Sequence, residues 1–169
     1  MISISKSIGS ISLEIFRKGK RIQKIEQMNL ITNEGINFKN EVNFLGVTAI
    51  NEWRIAPIGG SPSFSPSASY TSRTGWTEEI NYDEASRVIW NGVSTGNGVT
   101  SNAANPAEFT VSSGGATFGG MILVGGPNAA TKGNTSGGNI LMAIGALGQN
   151  LNLLSGDIIR VTWIQRDVN

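Results

Sequence analysis

The 169-residue chain contains no cysteine and no histidine. Without cysteine there is no disulfide framework and no thiolate chemistry, and redox compartment leaves no mark on the sequence. Without histidine the chain lacks the commonest general base near neutral pH and the commonest zinc and copper ligand. Charge is sparse, at 15% of residues against roughly 25% in an average soluble domain. No apolar run approaches the roughly 20 residues of a membrane-spanning helix. The opening "MISISKSIGS" has neither the apolar core nor the small-residue cleavage site of a secretory signal. A soluble protein without an export signal is expected, with no cofactor and no membrane partner.

What is abundant is glycine, 22 residues, together with Ser, Thr and Asn in the middle of the chain. With 39% apolar residues the chain can still support a core, which argues against disorder. Its length suits one ordinary domain. Many turns and few charges fit an all-β domain, or a protein whose surface is largely covered by neighbours. Net charge is +1, unevenly spread: residues 1–28 hold Lys6, Arg17, Lys18, Lys20, Arg21 and Lys24 against Glu14 and Glu26. The expected organisation is a basic N-terminal arm or hairpin over 1–28, then a β-sandwich domain over 29–169.

In "ISLEIFRKGKRIQKIEQM", Ile11, Leu13 and Ile15 alternate with Ser12 and Glu14, and Lys18-Gly19 supplies a turn. That reads as a β-hairpin, although Ile22 and Ile25 in the second limb stand three apart. The period then changes. Ile31, Gly35, Phe38, Val42 and Leu45 recur every three or four residues, so one helix is expected near 33–45, capped by Asn33 and stopped by Gly46. Strands are expected in "NEWRIAPI", at 107–111, 116–124 and 140–147, and most clearly in "DIIRVTWIQ", where Ile159, Val161 and Trp163 share one face. Short strands between Gly/Asn/Ser turns predict an antiparallel β-sandwich or jelly roll.

Chemistry concentrates in "GWTEEINYDEASRVIW" (75–90), which holds Glu78, Glu79, Asp83 and Glu84. A glycosidase needs two carboxylates about 5–10 Å apart, one with a raised pKa. Neighbours in sequence face opposite ways on a strand, so only Glu79 and Asp83, across a turn, could form such a pair, and nothing else in the chain completes a site. The cluster also lacks the spacing and landmarks of an EF-hand. The structural reading is a strap. Arg87 lies four residues after Asp83 and three after Glu84, so a local turn would let its fork pair with a carboxylate, that of Asp83, of Glu84 or of a residue in another chain. Trp76, Tyr82 and Trp90 then anchor the segment on the sandwich. "GGPNAATKG" and "GNGVTS" fail the residue order of phosphate-binding loops, and Asn134-Thr135-Ser136 is only a formal glycosylation acceptor. The basic tip Arg17, Lys18, Lys20 and Arg21 has no interleaved aromatics to stack bases. An acidic protein surface suits it at least as well as nucleic acid.

The order "EWRIAPIGG", a Ser/Pro loop, "GWTEEINYDEASRVIW", "AEFTV", "GGMILVGG", "TKGNTSGGNILMAIGAL" and "SGDIIRVTW" resembles a group of small structural proteins of tailed bacteriophages, over roughly residues 51–165. "NLITNEGINF" resembles a lead-in found in many phage virion proteins. The chain departs from that pattern at Val88-Ile89, where Pro often stands, and in carrying the extra basic hairpin 11–28. The resemblance implies a non-enzymatic virion component assembled in the host cytoplasm, most specifically a head decoration (cement) protein on the capsid surface. Its implied partners are the major capsid protein and further copies of itself, with no specific nucleic acid. Arg17, Lys18, Lys20, Arg21 and Phe38 are the expected partner-binding residues, the hairpin and helix clamping adjacent capsid subunits. The loops 59–75 and 125–139 are expected to face neighbours or solvent. Two other readings remain open: a tail, baseplate or fibre-associated adaptor, and a carbohydrate-binding module using Trp76, Tyr82 or Trp90.

Overall fold

Two long strands open the fold, β1 (Lys6–Arg17) and β2 (Lys20–Ile31). They are joined by a two-residue turn in which Lys18 and Gly19 both have positive φ, 51° and 76°, the twist that suits a tight hairpin. The structure is a computed structural model and describes residues 6–60, 65–73 and 75–168. Ile22 is the extra residue of a β-bulge, since Gln23 faces Ile15 while Arg21 faces Phe16. Ile25 is buried while Ile22 is 50% exposed, so the two do not share the core face.

The described part of 1–28 does not stand apart as an arm. β1 pairs along Lys6–Phe16 with the last strand, β11 (Ile158–Val168). β2 continues past residue 28 to pair with β10 (Ile140–Leu153) at Asn29–Ile31. The reason is burial: Ile11, Leu13 and Ile15 are at most 1% exposed, and a free hairpin would leave that face in water.

The remaining strands are β3 (Trp53–Gly59), β4 (Thr77–Glu78), β5 (Val88–Ile89), β6 (Val93–Gly96), β7 (Val99–Ser101), β8 (Ala107–Thr110) and β9 (Ala116–Gly125). All pairings are antiparallel, in the order β4-β3-β9-β10-β2-β1-β11-β7-β6, with β5 also on β3 and β8 also on β11. The protein is thus all-β with an N-terminal hairpin and one short helix. Its layers are parts of one curled sheet. The inner face gathers Ile11 and Leu13 of β1, Ile55 of β3, Phe118 and Leu123 of β9 and Val161 and Trp163 of β11 into one core. β3, β9 and β10 are covered on their other face too, where Ala56, Ile58, Ile122, Val124, Leu141 and Ile144 form a second cluster with Tyr70, Trp76 and Ala129. Burial on both faces is why β9 reads as an unbroken apolar run rather than an alternation.

Tyr70 and Ala129 come from the two loops expected to face neighbours or solvent; residues 61–64 and 74 of the first lie outside the described residues. Their described parts instead fold back as a lid on the sheet, because the apolar outer rows of β3, β9 and β10 need cover.

The helix, α1, spans Asn33–Phe44. Its cap is Thr32 rather than Asn33: the Gly35 amide donates to Thr32 Oγ1 at 3.0 Å, and the Thr32 hydroxyl donates to the Leu141 carbonyl. Gly35 and Phe38 are buried, but Leu45 lies just past the last turn and is 74% exposed, off the expected face. A Cβ on Gly35 would meet the Met142 carbonyl at 2.5 Å, so glycine lets the helix sit directly on β10. Glu34 ties three elements together. Its Oε2 accepts from the Tyr70 and Leu141 amides at 2.8 and 2.6 Å.

Candidate functional site

The stretch 75–90 leaves the edge of β3 and returns to it. β4 pairs with β3 at Ile58 and Gly59, and β5 pairs with the same strand at Arg54 and Ile55. This detour brings Glu78 and Arg87 together, nine residues apart in sequence. Arg87 Nε and Nη2 donate to the two Glu78 carboxylate oxygens at 2.9 and 2.6 Å. The guanidinium also donates to Tyr70 Oη at 2.9 Å, the Ala129 carbonyl at 3.2 Å and the Asn134 carbonyl at 3.1 Å. The pair is sealed, with side chains 0% and 1% exposed. Burial is the largest single influence and pulls the Arg87 pKa down, but the hydrogen bonds and charge of Glu78 together with the Tyr70 hydroxyl outweigh it, and the net shift is upward, so the group stays charged.

Arg87 therefore pairs with neither Asp83 nor Glu84. Asp83 is exposed, and its amide donates to the Thr110 carbonyl at 2.8 Å. The Glu84 carboxylate accepts from the Thr110 amide at 3.0 and 3.2 Å, holding the segment to β8. Local spacing misled because a local turn is not what positions Arg87; the shared β3 edge is.

Trp76 and Tyr82 are 5% and 2% exposed. Tyr82 meets Phe109 edge to face at 5.2 Å and carries the Lys132 ammonium 3.8 Å above its ring. Burial pushes its hydroxyl pKa up. The Trp90 indole donates to the Trp163 carbonyl at 3.2 Å. With Trp53 and Phe38, Trp90 lines a cavity of about 280 Å³ under α1. Trp76 and Tyr82 consequently offer no flat platform for a sugar. Of the carboxylates considered for catalysis, Glu79 accepts from the Asn81 and Thr117 amides at 2.9 and 3.5 Å. Among the described residues no group of three or more Asp and Glu could hold a metal ion.

The expected partner-binding residues divide. Arg17 donates two hydrogen bonds to Asp157, at 2.8 and 2.7 Å, and holds that carboxyl below its ordinary range. Arg21 pairs with Glu14. Lys18 and Lys20 are exposed at the turn. Phe38 is buried against Trp53, ring centroids 5.9 Å apart, and shows only the cavity under α1.

What the sequence reading missed is on the opposite side of α1. Ile36, Phe44, Leu45 and Val47 are 39%, 80%, 74% and 42% exposed. The signal was present, since Ile36 and Phe44 lie off the Phe38 face at helical spacing. Ile36 and Phe44 line one surface groove, and Phe44 and Leu45 a second. Comparison of the chain with protein-family models, curated proteins and solved structures finds no match.

Proposed function

We propose that the chain is a non-enzymatic virion structural protein of the tailed-bacteriophage type, and within the virion a capsid decoration (cement) protein. The order of motifs from "EWRIAPIGG" to "SGDIIRVTW" supports the virion reading. The observation that carries the attachment surface is the apolar group at the end of α1, where Phe44 and Leu45 are the most exposed large apolar side chains among the described residues. The acidic stretch supports the same reading, because Glu78, Glu79 and Glu84 are engaged in internal contacts rather than converging on a cleft.

Two contact points sit at opposite ends of β1. Lys39 of α1 donates to Ser7 Oγ at 3.0 Å, and the exposed Lys18 and Lys20 follow Arg17 at the far end. At about 3.3 Å per residue these ends are roughly 30 Å apart, a separation suited to gripping two neighbouring subunits. Each grip is modest, and simultaneous engagement multiplies them.

Quantitative mass spectrometry of purified particles tests the role. A copy number comparable to that of the major capsid protein is expected. A small fraction of it moves the protein to the tail or baseplate as an adaptor, and absence from particles refutes the virion reading. Phe44→Asp with Leu45→Asp is expected to abolish particle binding, while both side chains are exposed enough to leave folding intact.

A further inference from the structure

β2 has an unused edge. On one side it is laddered to β1 from Lys20 to Asn29. On the other, β10 takes only Asn29, Leu30 and Ile31, and among the described residues no strand pairs with Lys20–Met28. Such a row of backbone donors and acceptors is a template for another strand. The segment is also unusually bare: of Lys20–Met28 only Ile25 is buried, while Ile22 and Met28 are 50% and 63% exposed.

We propose that β2 pairs edge to edge with β2 of a second copy, antiparallel across a two-fold axis at Ile25. This register sets Lys24 opposite Glu26 of the second copy and Glu26 opposite its Lys24. It sets Ile22 opposite Met28 and Gln23 opposite Gln27, each twice. Every exposed apolar residue of the edge then meets another, and every charge between them meets its opposite. Within one chain Lys24 and Glu26 already attract, with Nζ and Oε1 2.5 Å apart, so the dimer completes an alternating quartet of charges. The neighbouring registers fail. Moving the axis to Lys24 opposes lysine to lysine, and moving it to Glu26 opposes glutamate to glutamate, both unfavourable across a ladder. A half-step would oppose residues that face different sides. The bulge at Ile22 ends the regular stretch and so limits the shared ladder. Isologous pairing closes at two copies, which is how an exposed edge avoids open-ended growth.

This pairing stands on strand geometry alone and is independent of the virion reading. It is tested by sedimentation equilibrium of the purified full chain over a concentration series. A monomer–dimer equilibrium is expected. Lys24→Glu and Glu26→Lys are each expected to raise the dissociation constant about tenfold, since two cross-strand pairs turn from attractive to repulsive. The exchange of both in one chain, Lys24→Glu with Glu26→Lys, is expected to restore it. These side chains are 46% and 66% exposed, and an unchanged thermal midpoint controls for folding. A wild-type chain that stays monomeric throughout overturns the proposal. So does a dimer indifferent to the single changes, or one that the double exchange does not restore.

Discussion

Arg87→Ala removes five hydrogen bonds and strands a carboxylate. The Glu78 side chain, 1% exposed, loses its bidentate partner, and the Ala129 carbonyl loses the donor that reached it from Arg87. Breaking a buried ion pair from one side costs about 3–5 kcal/mol, because the remaining charge is uncompensated. Arg73 stays 3.8 Å from the same carboxylate, which puts the expected loss at the low end, about 3 kcal/mol. At about 2–4 °C per kcal/mol for a domain of this size, the thermal midpoint falls by about 6–12 °C. Glu78→Leu with Arg87→Met, which removes both members of the pair, is expected to recover only part of the loss, since Arg73, 9% exposed, then loses its neighbouring carboxylate. Urea unfolding followed by tryptophan fluorescence gives the free energies, and amide exchange localises the damage. Protection should drop in the described part of the 65–73 loop and around Ala129–Asn134 before it drops in β1 or β11. A single-mutant loss below about 1 kcal/mol, the level of an exposed pair, refutes the argument that this guanidinium holds the lid.

Three further outcomes follow from the packing. Gly119→Ala would place a Cβ 1.2 Å from the Gly60 carbonyl oxygen; with backbone as the obstacle, a loss of at least about 3 kcal/mol is expected in urea unfolding. Thr32→Ala removes a buried helix cap and should cost about 2 kcal/mol, whereas Thr32→Ser, which keeps the hydroxyl, should cost clearly less. The pH dependence turns on Asp157, whose carboxyl is held below its ordinary value of 3.8, first by the Arg17 hydrogen bonds. A depressed carboxyl lends stability that is complete above the ordinary value and is lost as pH falls through the depressed one. Urea midpoints measured from neutral pH down through the acid range should therefore fall below about pH 4, and the gap between wild type and Asp157→Asn should narrow there.

Much of the architecture is written in local periodicity. Ile159, Val161 and Trp163 alternate because β11 has a core on one side only, and each is 0% exposed. Ile11, Leu13 and Ile15 announce β1 for the same reason, and the change of spacing at Ile31 announces α1. These signals survive because each depends on one element meeting one surface. The candidate site was less legible. Tyr70 stands alone among serines in a loop and gives no periodic hint that it will accept from Arg87 at 2.9 Å. Glu34 looks like an ordinary first-turn acid, yet it joins the helix, the lid and β10.

An all-β chain with an N-terminal hairpin and a short helix follows from local pattern, because alternation and helical spacing are properties of neighbouring residues. Tertiary structure alone decided which carboxylate holds Arg87, that Phe38 is covered while Phe44 is bare, and that the hairpin belongs to the middle of the sheet. Those outcomes depend on which strands share an edge and which faces receive a second layer. Both are contacts between residues far apart in the chain, and no local pattern encodes them. The same holds for the open edge of β2. Its residues could be read in the sequence, but that no described strand neighbours them follows only once β10 has turned away after Asn29.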